Sequence, residues 1–213
     1  MTTIAVLGVG RVGSAVARTA LRAGFDVRVA GSGAAEDIAL IAEIVMPGAV
    51  AMTTADAVRD ADIVIVAVPL HKHRSVAPAP LAGKVVIDAM NWWTPVDGDS
   101  DEFDHDDAST SEVVAQHFVG ARLVKTLNHI GYHELEEHGT DVGAPGRRAL
   151  AVASDDEDAA QLVATMIDRF GFDAVYAGPL RAGRGFGPGT LIFNSILTRD
   201  ELESALPAHE FAL

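Results

Sequence analysis

The 213-residue sequence contains no cysteine and no long apolar run. Disulfide frameworks, thiolate zinc sites and cysteine nucleophiles are therefore excluded, and we expect a protein of the reducing cytoplasm. No apolar run approaches the roughly 20 residues that a membrane-spanning helix needs, so no membrane association is expected. The N-terminus, MTTIAVLGVG, has no basic stretch before its apolar residues. It predicts a strand and not a signal peptide.

Positive charge is also scarce, with 16 Lys and Arg against 30 Asp and Glu and a formal net charge of -14. An acidic surface repels phosphate backbones, so nucleic acid is not an expected partner. The same charge would repel an anionic nucleotide. Any nucleotide site must then depend on local features, namely a helix N-terminus and backbone N–H groups.

Short apolar runs alternate with helical stretches along the chain. The predicted strands are Ile4–Leu7, Val27–Ala30, Ile63–Val68, Val85–Ile87, Arg122–Lys125, Ala149–Ala153 and Ala174–Tyr176. Several of these runs are almost uninterrupted Val, Ile and Ala, which suits strands that are covered on both faces. The alternation predicts an α/β fold with a doubly wound, mostly parallel sheet.

Helix signals agree with this alternation. A helix is predicted over Arg11–Arg22, and two Ser-x-x-Glu patterns, Ser109 with Glu112 and Ser154 with Glu157, are typical of capping boxes. After the second pattern, one helical face is predicted to carry Leu162, Val163, Met166, Ile167 and Phe170.

The motif Gly8-Val9-Gly10-Arg11-Val12-Gly13 follows the first predicted strand and opens the first predicted helix. In this context Gly-x-Gly-x-x-Gly is typical of a turn that binds the pyrophosphate of a dinucleotide. Gly8 would allow the tight turn, Gly10 the approach of backbone to pyrophosphate, and Gly13 close packing of helix on strand. A glycine-rich turn that binds nothing is the alternative.

The end of the second strand bears on the choice between NAD and NADP. The stretch Ala30–Gly33 has no carboxylate of the kind that holds the ribose 2′-OH of NAD. Ser32 could donate to a 2′-phosphate, or it could only cap the next helix. Glu36 and Asp37 argue against a strongly basic phosphate pocket. Arg11 is the nearest cation, unless it is simply a solvated helix residue.

Six segments in order carry a resemblance to a known family: IAVLGVGRVGSAVA, VRVAGSG, ADIVIVAVP, VVIDAMN, VKTLNHIG and VYAGPL. Over about residues 3–180 the chain resembles the NADP oxidoreductases that depend on coenzyme F420, an 8-hydroxy-5-deazaflavin. The resemblance implies a Rossmann-type nucleotide-binding domain over 1–177 and a short C-terminal segment over 178–213. It also implies a homodimer, for which the apolar stretch Leu191–Leu197 is the expected contact.

The resemblance further implies cofactor contacts. Ser32 and Gly33 occupy the 2′-phosphate position, although the family commonly has arginine where this chain has Gly33. Val68 and Pro69 border the nicotinamide ribose, with Leu70 and His71 close by. Six residues adjoin the nicotinamide ring or its junction with the deazaflavin: Asn91, Asn128, His129, Ile130, Gly131 and Tyr132.

The activity that the resemblance implies is hydride transfer between NADP(H) and coenzyme F420. Such transfer needs alignment and water exclusion more than acids and bases, so no catalytic triad is expected. Asn91 and Asn128 could orient carboxamide or ring carbonyl groups, and a protonated His129 could contact an anionic reduced deazaflavin. Asn91 could also be a plain turn residue and His129 an ordinary histidine. His129 and His133 lack a third clear ligand, so no metal site is expected.

Two other functions stay open. One is an NADPH-dependent reductase of a flavin, a ferric chelate, or a small imine or carbonyl compound. The other is a non-catalytic NADP(H) sensor.

Trp92 and Trp93 lie near the start of the loop that follows the predicted strand Val85–Ile87. They could cover a flat cofactor or anchor the loop on the sheet. The acidic stretch 97–107 lacks the spacing of a calcium loop, and we expect a solvated loop that could act as a lid.

Overall fold

The computed structural model describes residues 2–103 and 108–206. Part of the acidic stretch (104–107) and the end of the C-terminal segment (207–213) lie outside these described residues. The strands are β1 (Thr3–Leu7), β2 (Asp26–Ala30), β3 (Val50–Ala51), β4 (Ile63–Val66), β5 (Val85–Asp88), β6 (Arg122–Lys125), β7 (Ala149–Ala153) and β8 (Asp173–Gly178). The α-helices are α1 (Arg11–Arg22), α2 (Glu36–Val45), α3 (Thr54–Arg59), α4 (Thr94–Asp97), α5 (Thr110–His117), α6 (Tyr132–Glu137), α7 (Glu157–Arg169) and α8 (Arg199–Ala205). Short 3-10 helices span Leu70–Ser75, Ala79–Leu81 and Leu180–Phe186.

The described strands form one sheet in the order β3-β2-β1-β4-β5-β6-β7-β8. All neighbouring pairs from β3 to β6 are parallel. β7 joins β6 in the antiparallel sense through Lys125 and Ala153, and β8 then runs parallel to β7. The predicted α/β fold with a mostly parallel sheet is confirmed. The two-residue edge strand β3 was missed because two residues are too few to show a periodic pattern.

Both faces of the sheet are covered, which explains the uninterrupted apolar strands. Along β1, Ile4 and Val6 face one core and Ala5 and Leu7 face the other. Helices α1, α2, α6 and α7 cover the first face, whereas α3, α5 and the 3-10 helix Leu70–Ser75 cover the second. No helix of the described residues is long and apolar enough to cross a membrane.

The C-terminal segment packs onto the sheet and adds to its cover. Phe186, Ile192 and Leu202 bury against small side chains of β7 and β8, among them Ala151 and Ala177. Helix α8 lies in this segment. The segment therefore closes the end of the sheet where β7 and β8 lie.

One of the two predicted capping boxes is confirmed. Ser109 and Glu112 exchange both hydrogen bonds at the start of α5. The other prediction was wrong, because α7 is capped by Asp156, whose side chain accepts from the Ala159 N–H. Ser154 instead donates its hydroxyl to the Leu123 carbonyl at 2.7 Å, tying α7 to the sheet. Leu162, expected on the apolar face of α7, is 38% exposed.

Candidate cofactor-binding site

The turn between β1 and α1 requires glycine at two positions. Gly8 has φ +112°, and a Cβ there would lie 2.6 Å from the Ala67 carbonyl oxygen. A Cβ on Gly13 would lie 1.8 Å from the Gly8 carbonyl oxygen. The Gly8 N–H donates to the Ala30 carbonyl at 2.9 Å, so the turn is pinned to the end of β2. Helix α1 therefore begins directly at the carboxyl edge of the sheet.

Gly10 differs from the other two glycines because a Cβ there would meet no atom within 4 Å. It is the N-cap of α1 in an extended conformation, and no acidic residue occupies the first turn of that helix. The first N–H groups of a helix have no intrahelical acceptor, and they carry the positive end of the helix dipole. This open, uncrowded helix start suits a pyrophosphate.

A cavity of about 300 Å³ adjoins this turn. Six of the predicted cofactor-binding residues line it, namely Gly8, Val9, Gly10, Ser32, Val68 and Pro69. The lining also includes Thr54, Lys72, Ser75 and Val76, which were not predicted. The lining comes from the carboxyl ends of β1, β2 and β4, where open α/β sheets bind their ligands. Lys72 and Ser75 lie in the polar run HKHRS after Pro69, a signal that the sequence contained.

Other predicted contacts fall outside this cavity. Leu70 is 1% exposed and belongs to the core on the second face of the sheet, so its side chain is not available to a ligand, and its place close to the nicotinamide ribose stays a prediction. His71 is exposed but does not line the cavity. Arg11 and Val12 are exposed on the first turn of α1, beside the cavity lining and not within it.

Ser32 does not cap α2, so that alternative was wrong. The N-cap of α2 is Ala35, which makes no side-chain cap. Asp37 takes over part of this role, since its Oδ2 accepts from the Ala34 N–H at 3.0 Å. Ser32 is exposed and lines the cavity, which leaves its hydroxyl available to a ligand.

A second group of predicted residues lies further along the same edge of the sheet. Asn91 follows β5 and Asn128 follows β6, and their side chains interlock. The Asn91 Nδ2 donates to the Asn128 backbone carbonyl at 2.6 Å, and the Asn128 Nδ2 donates to Asn91 Oδ1 at 3.1 Å. Since β1, β4, β5 and β6 are neighbours in parallel order, the glycine turn, Pro69 and this asparagine pair form one row.

The His129 imidazole is a structural group and not a cation. It is 2% exposed, and its Nε2 accepts from the Ala151 N–H at 3.0 Å. Burial, together with the nearby charges of Arg148 and Lys125, lowers its pKa to about 3. A neutral ring protonated on Nδ1 can donate to Asn128 Oδ1, 3.3 Å away. The expected protonated contact with an anionic deazaflavin is therefore corrected.

Backbone strain is concentrated at this second group. Leu127, directly before Asn128, has φ +63° and is 2% exposed. A bulky residue rarely adopts positive φ, and such strain persists where the surroundings hold it. The Thr126 hydroxyl holds it here by donating to the Ala151 carbonyl at 2.7 Å. Of the residues that follow, Ile130 is buried and Tyr132 is half-buried against His133.

A buried ion pair lies beneath the asparagine pair, and sequence reasoning missed it. Asp88 ends β5 and Lys125 ends β6, with Nζ and Oδ2 3.3 Å apart. Both side chains are almost inaccessible, so burial lowers the pKa of Lys125 while Asp88 opposes that change. Ser111 donates to Asp88 at 2.6 Å, and the Lys125 ammonium also donates to the Met90 carbonyl. The network fixes the chain that leads to Asn91.

Trp92 anchors its loop, in agreement with the second of the two interpretations given above. Its ring stacks on Phe103 at a centroid distance of 5.0 Å, whereas Trp93 is 50% exposed. Glu102, in the described part of the acidic stretch, contacts Arg74 at 2.5 Å. The acidic loop is thus attached to the segment that follows β4. Its role as a lid stays a prediction.

Comparison with known proteins agrees with the predicted resemblance. Residues 3–92 match the family described as NADP oxidoreductase, coenzyme F420-dependent. No curated protein sequence matches the chain. A hypothetical protein from Sinorhizobium meliloti has a similar structure, with 27% identity, coverage of 94% of this chain and 97% of that one, and a TM-score of 0.80.

Two further solved structures are similar. A candidate F420-dependent NADP reductase from Arthrobacter sp. FB24 is 25% identical over 87% of this chain and 88% of its own, with a TM-score of 0.71. The 3-hydroxyisobutyrate dehydrogenase of Mycobacterium tuberculosis is 20% identical, with a TM-score of 0.60, and the match covers 87% of this chain but 57% of the dehydrogenase. The shared fold is that of Rossmann-type dehydrogenases.

Proposed function

We propose that this chain, an NAD(P)-dependent oxidoreductase by its family match and fold, passes hydride between NADP(H) and the deazaflavin of coenzyme F420. The observation that carries the proposal is the single row formed at the sheet edge by the glycine turn, Pro69 and the asparagine pair. A dinucleotide held by its pyrophosphate at the turn would extend along this row toward Asn91.

The nucleotide half of the site fits its ligand. The N–H groups at the start of α1 face an anion without competition, since the first turn holds no carboxylate. The missing side chain of Gly10 leaves room for close approach of the pyrophosphate to the backbone. Val68 and Pro69 supply an apolar wall, and Ser32 supplies a hydroxyl.

The acceptor half depends on Asn91. The Asn128 amide has no free donor, because its Nδ2 donates to Asn91 Oδ1 and to the Phe186 carbonyl at 3.4 Å, while its Oδ1 faces His129. Asn91 uses one N–H and one lone pair in this pair, so one donor and one acceptor stay available on its amide. Asn91 therefore orients the reacting rings, and Asn128 is a positioning residue that acts through Asn91.

The protein needs no acid or base for this reaction. The two bound cofactors supply the hydride chemistry, and the chain supplies alignment and exclusion of water. The neutral His129 fits this division, because it holds Asn128 and the strand backbone without exchanging protons near neutral pH. The strained backbone at Leu127 fixes the direction in which Asn128 leaves β6.

We also propose a homodimer through the C-terminal segment. Leu191 is 95% exposed and Ile196 is 62% exposed, while Ile192 between them is buried against the sheet. The segment is thus anchored to the fold and presents apolar side chains outward, which favours an interface.

The proposal is tested by mixing the purified protein with NADPH and oxidised coenzyme F420 and following the loss of the visible deazaflavin band. We expect loss of the band, and a slower rate in Asn91→Ala with unchanged NADPH affinity. No loss of the band with intact NADPH binding would refute the proposal. If the protein instead oxidises NADPH only with a flavin or a ferric chelate as acceptor, it is a different reductase. Binding of NADPH without turnover of any acceptor would identify a sensor.

A further inference from the structure

We infer that Lys72 is the residue that recognises the 2′-phosphate of NADP(H) in this protein, an inference that rests on the proposed nucleotide site. The cation would come from the segment after β4 and not from the loop after β2. The two segments form opposite walls of the same cavity, since both Ser32 and Lys72 line it.

In the loop after β2, a side chain at position 33 would first meet the Asp37 carboxylate. A Cβ on Gly33 would lie 2.5 Å from Asp37 Oδ2. Asp37 is held there by the Ala34 N–H, which donates to the same oxygen. This wall of the site therefore offers the Ser32 hydroxyl and a nearby carboxylate, which by itself would disfavour a doubly charged phosphate.

Lys72 supplies the missing charge from the other wall. Its backbone is fixed in the 3-10 helix Leu70–Ser75, because its N–H donates to the Pro69 carbonyl at 2.8 Å and its carbonyl accepts from the Ser75 hydroxyl at 2.7 Å. The side chain is exposed, and its ammonium has no hydrogen bond or ion pair within residues 2–103 and 108–206. A fixed backbone with an uncommitted ammonium suits capture of a mobile anion.

Of the other nearby cations, Arg11 lies on the first turn of α1 beside the cavity and does not line it, and two arginines are paired. Arg74 pairs with Glu102, and Arg28 lies 3.7 Å from Asp60. Among the described residues that line the cavity, Lys72 is the only lysine or arginine. In a chain with a net charge of -14, the Lys72 ammonium is the local positive charge that can attract the 2′-phosphate.

The test measures affinities of wild type, Lys72→Met and Lys72→Arg for NADPH and NADH, and for the fragments adenosine 2′,5′-bisphosphate and adenosine 5′-monophosphate. Loss of one charge-assisted contact predicts that Lys72→Met binds NADPH and the bisphosphate about 10- to 100-fold more weakly. Binding of NADH and the monophosphate should change less than about twofold, because neither carries the 2′-phosphate. Lys72→Arg should keep the preference for NADPH.

Lys84→Met is the matched control, since it removes the same charge at the amino ends of the strands, whereas the cavity lies at their carboxyl ends. Its ammonium donates to the Arg59 and Ala61 carbonyls, far from the cavity lining. An equal loss of NADPH and NADH binding in Lys72→Met, or a loss of preference in Arg11→Met with none in Lys72→Met, would overturn the inference. A wild type that binds only NADH would overturn it and leave the dinucleotide site standing. A wild type that binds neither nucleotide would overturn the proposed function as well.

Discussion

Two glycines of one turn should respond to the same substitution in opposite ways. In Gly10→Ala the new methyl group meets no protein atom within 4 Å and the backbone is already in an extended conformation. In Gly13→Ala the methyl group would start 1.8 Å from the Gly8 carbonyl oxygen. The first change therefore alters the surface that faces the ligand, and the second alters the packing of α1 on β1.

The expected magnitudes separate the two variants clearly. Alanine at an N-cap costs on the order of 0.5–1 kcal/mol relative to glycine, and the stiffer unfolded chain returns a similar amount, so Gly10→Ala should be near neutral in stability. Gly13→Ala must displace backbone, and overpacking of this kind costs about 1–3 kcal/mol or more. Displacing the pyrophosphate from one backbone donor should cost Gly10→Ala about 1.5–3 kcal/mol in binding, or roughly 10- to 100-fold in affinity.

The assay pairs urea denaturation with NADPH titration for each variant and the wild type. We expect Gly10→Ala to unfold at the same urea concentration as wild type and to bind NADPH weakly. Gly13→Ala should unfold at lower urea concentration. Wild-type NADPH affinity in a folded Gly10→Ala would refute the assignment of the turn as the pyrophosphate site, because its methyl group would then have met no ligand.

Three further outcomes follow from other parts of the structure. Lys125→Met should lower the free energy of unfolding by about 3–5 kcal/mol, because it leaves Asp88 buried without its ion-pair partner, and adding Asp88→Asn should restore part of the loss. Urea denaturation of both variants measures these changes. Equal stability of Lys125→Met and wild type would contradict the expectation. The folded state holds His129 neutral down to a pKa of about 3, against an ordinary value of 6.5. The unfolded state binds a proton on this histidine at a higher pH than the folded state does. The free energy of unfolding should therefore have its full value above pH 6.5 and fall by about 1.4 kcal/mol per pH unit below it. Urea denaturation of His129→Gln across the same pH range should lack this slope. Leu191→Asp should convert a dimer to a folded monomer in light scattering, and an unchanged molecular mass would place the contact elsewhere.

The sequence predicted the sheet and the nucleotide turn because both depend on local patterns. Val, Ile and Ala runs covered on both faces identify strands without knowledge of their neighbours. The glycines at 8 and 13 are likewise dictated by contacts within one βα unit. The true start of α7 was missed because both Ser154 and Asp156 could cap the helix. Asp156 does so, since the Ser154 hydroxyl donates to the Leu123 carbonyl of the neighbouring strand.

The second half of the site could not be predicted in detail, because it depends on pairs that are distant in sequence. Asn91 and Asn128 are 37 residues apart, as are Asp88 and Lys125. Only the adjacency of β5 and β6 brings them together. His129 is likewise buried by distant parts of the chain, since it contacts Ala151 of β7 and Phe186. Lys72 was overlooked for a related reason, since its position opposite Ser32 appears only when β2 and β4 flank β1.

Isotope transfer tests most directly whether the protein passes hydride from NADPH to the deazaflavin. The protein would be given NADPH deuterated at one face of C4 of the nicotinamide, then NADPH deuterated at the other face, each with oxidised coenzyme F420. We expect one of the two substrates, and not the other, to increase the mass of the reduced deazaflavin by one deuterium, because a fixed row of binding residues presents one face. Reduced deazaflavin without deuterium from either substrate, or with deuterium from both, would contradict direct hydride transfer between two cofactors held in fixed positions.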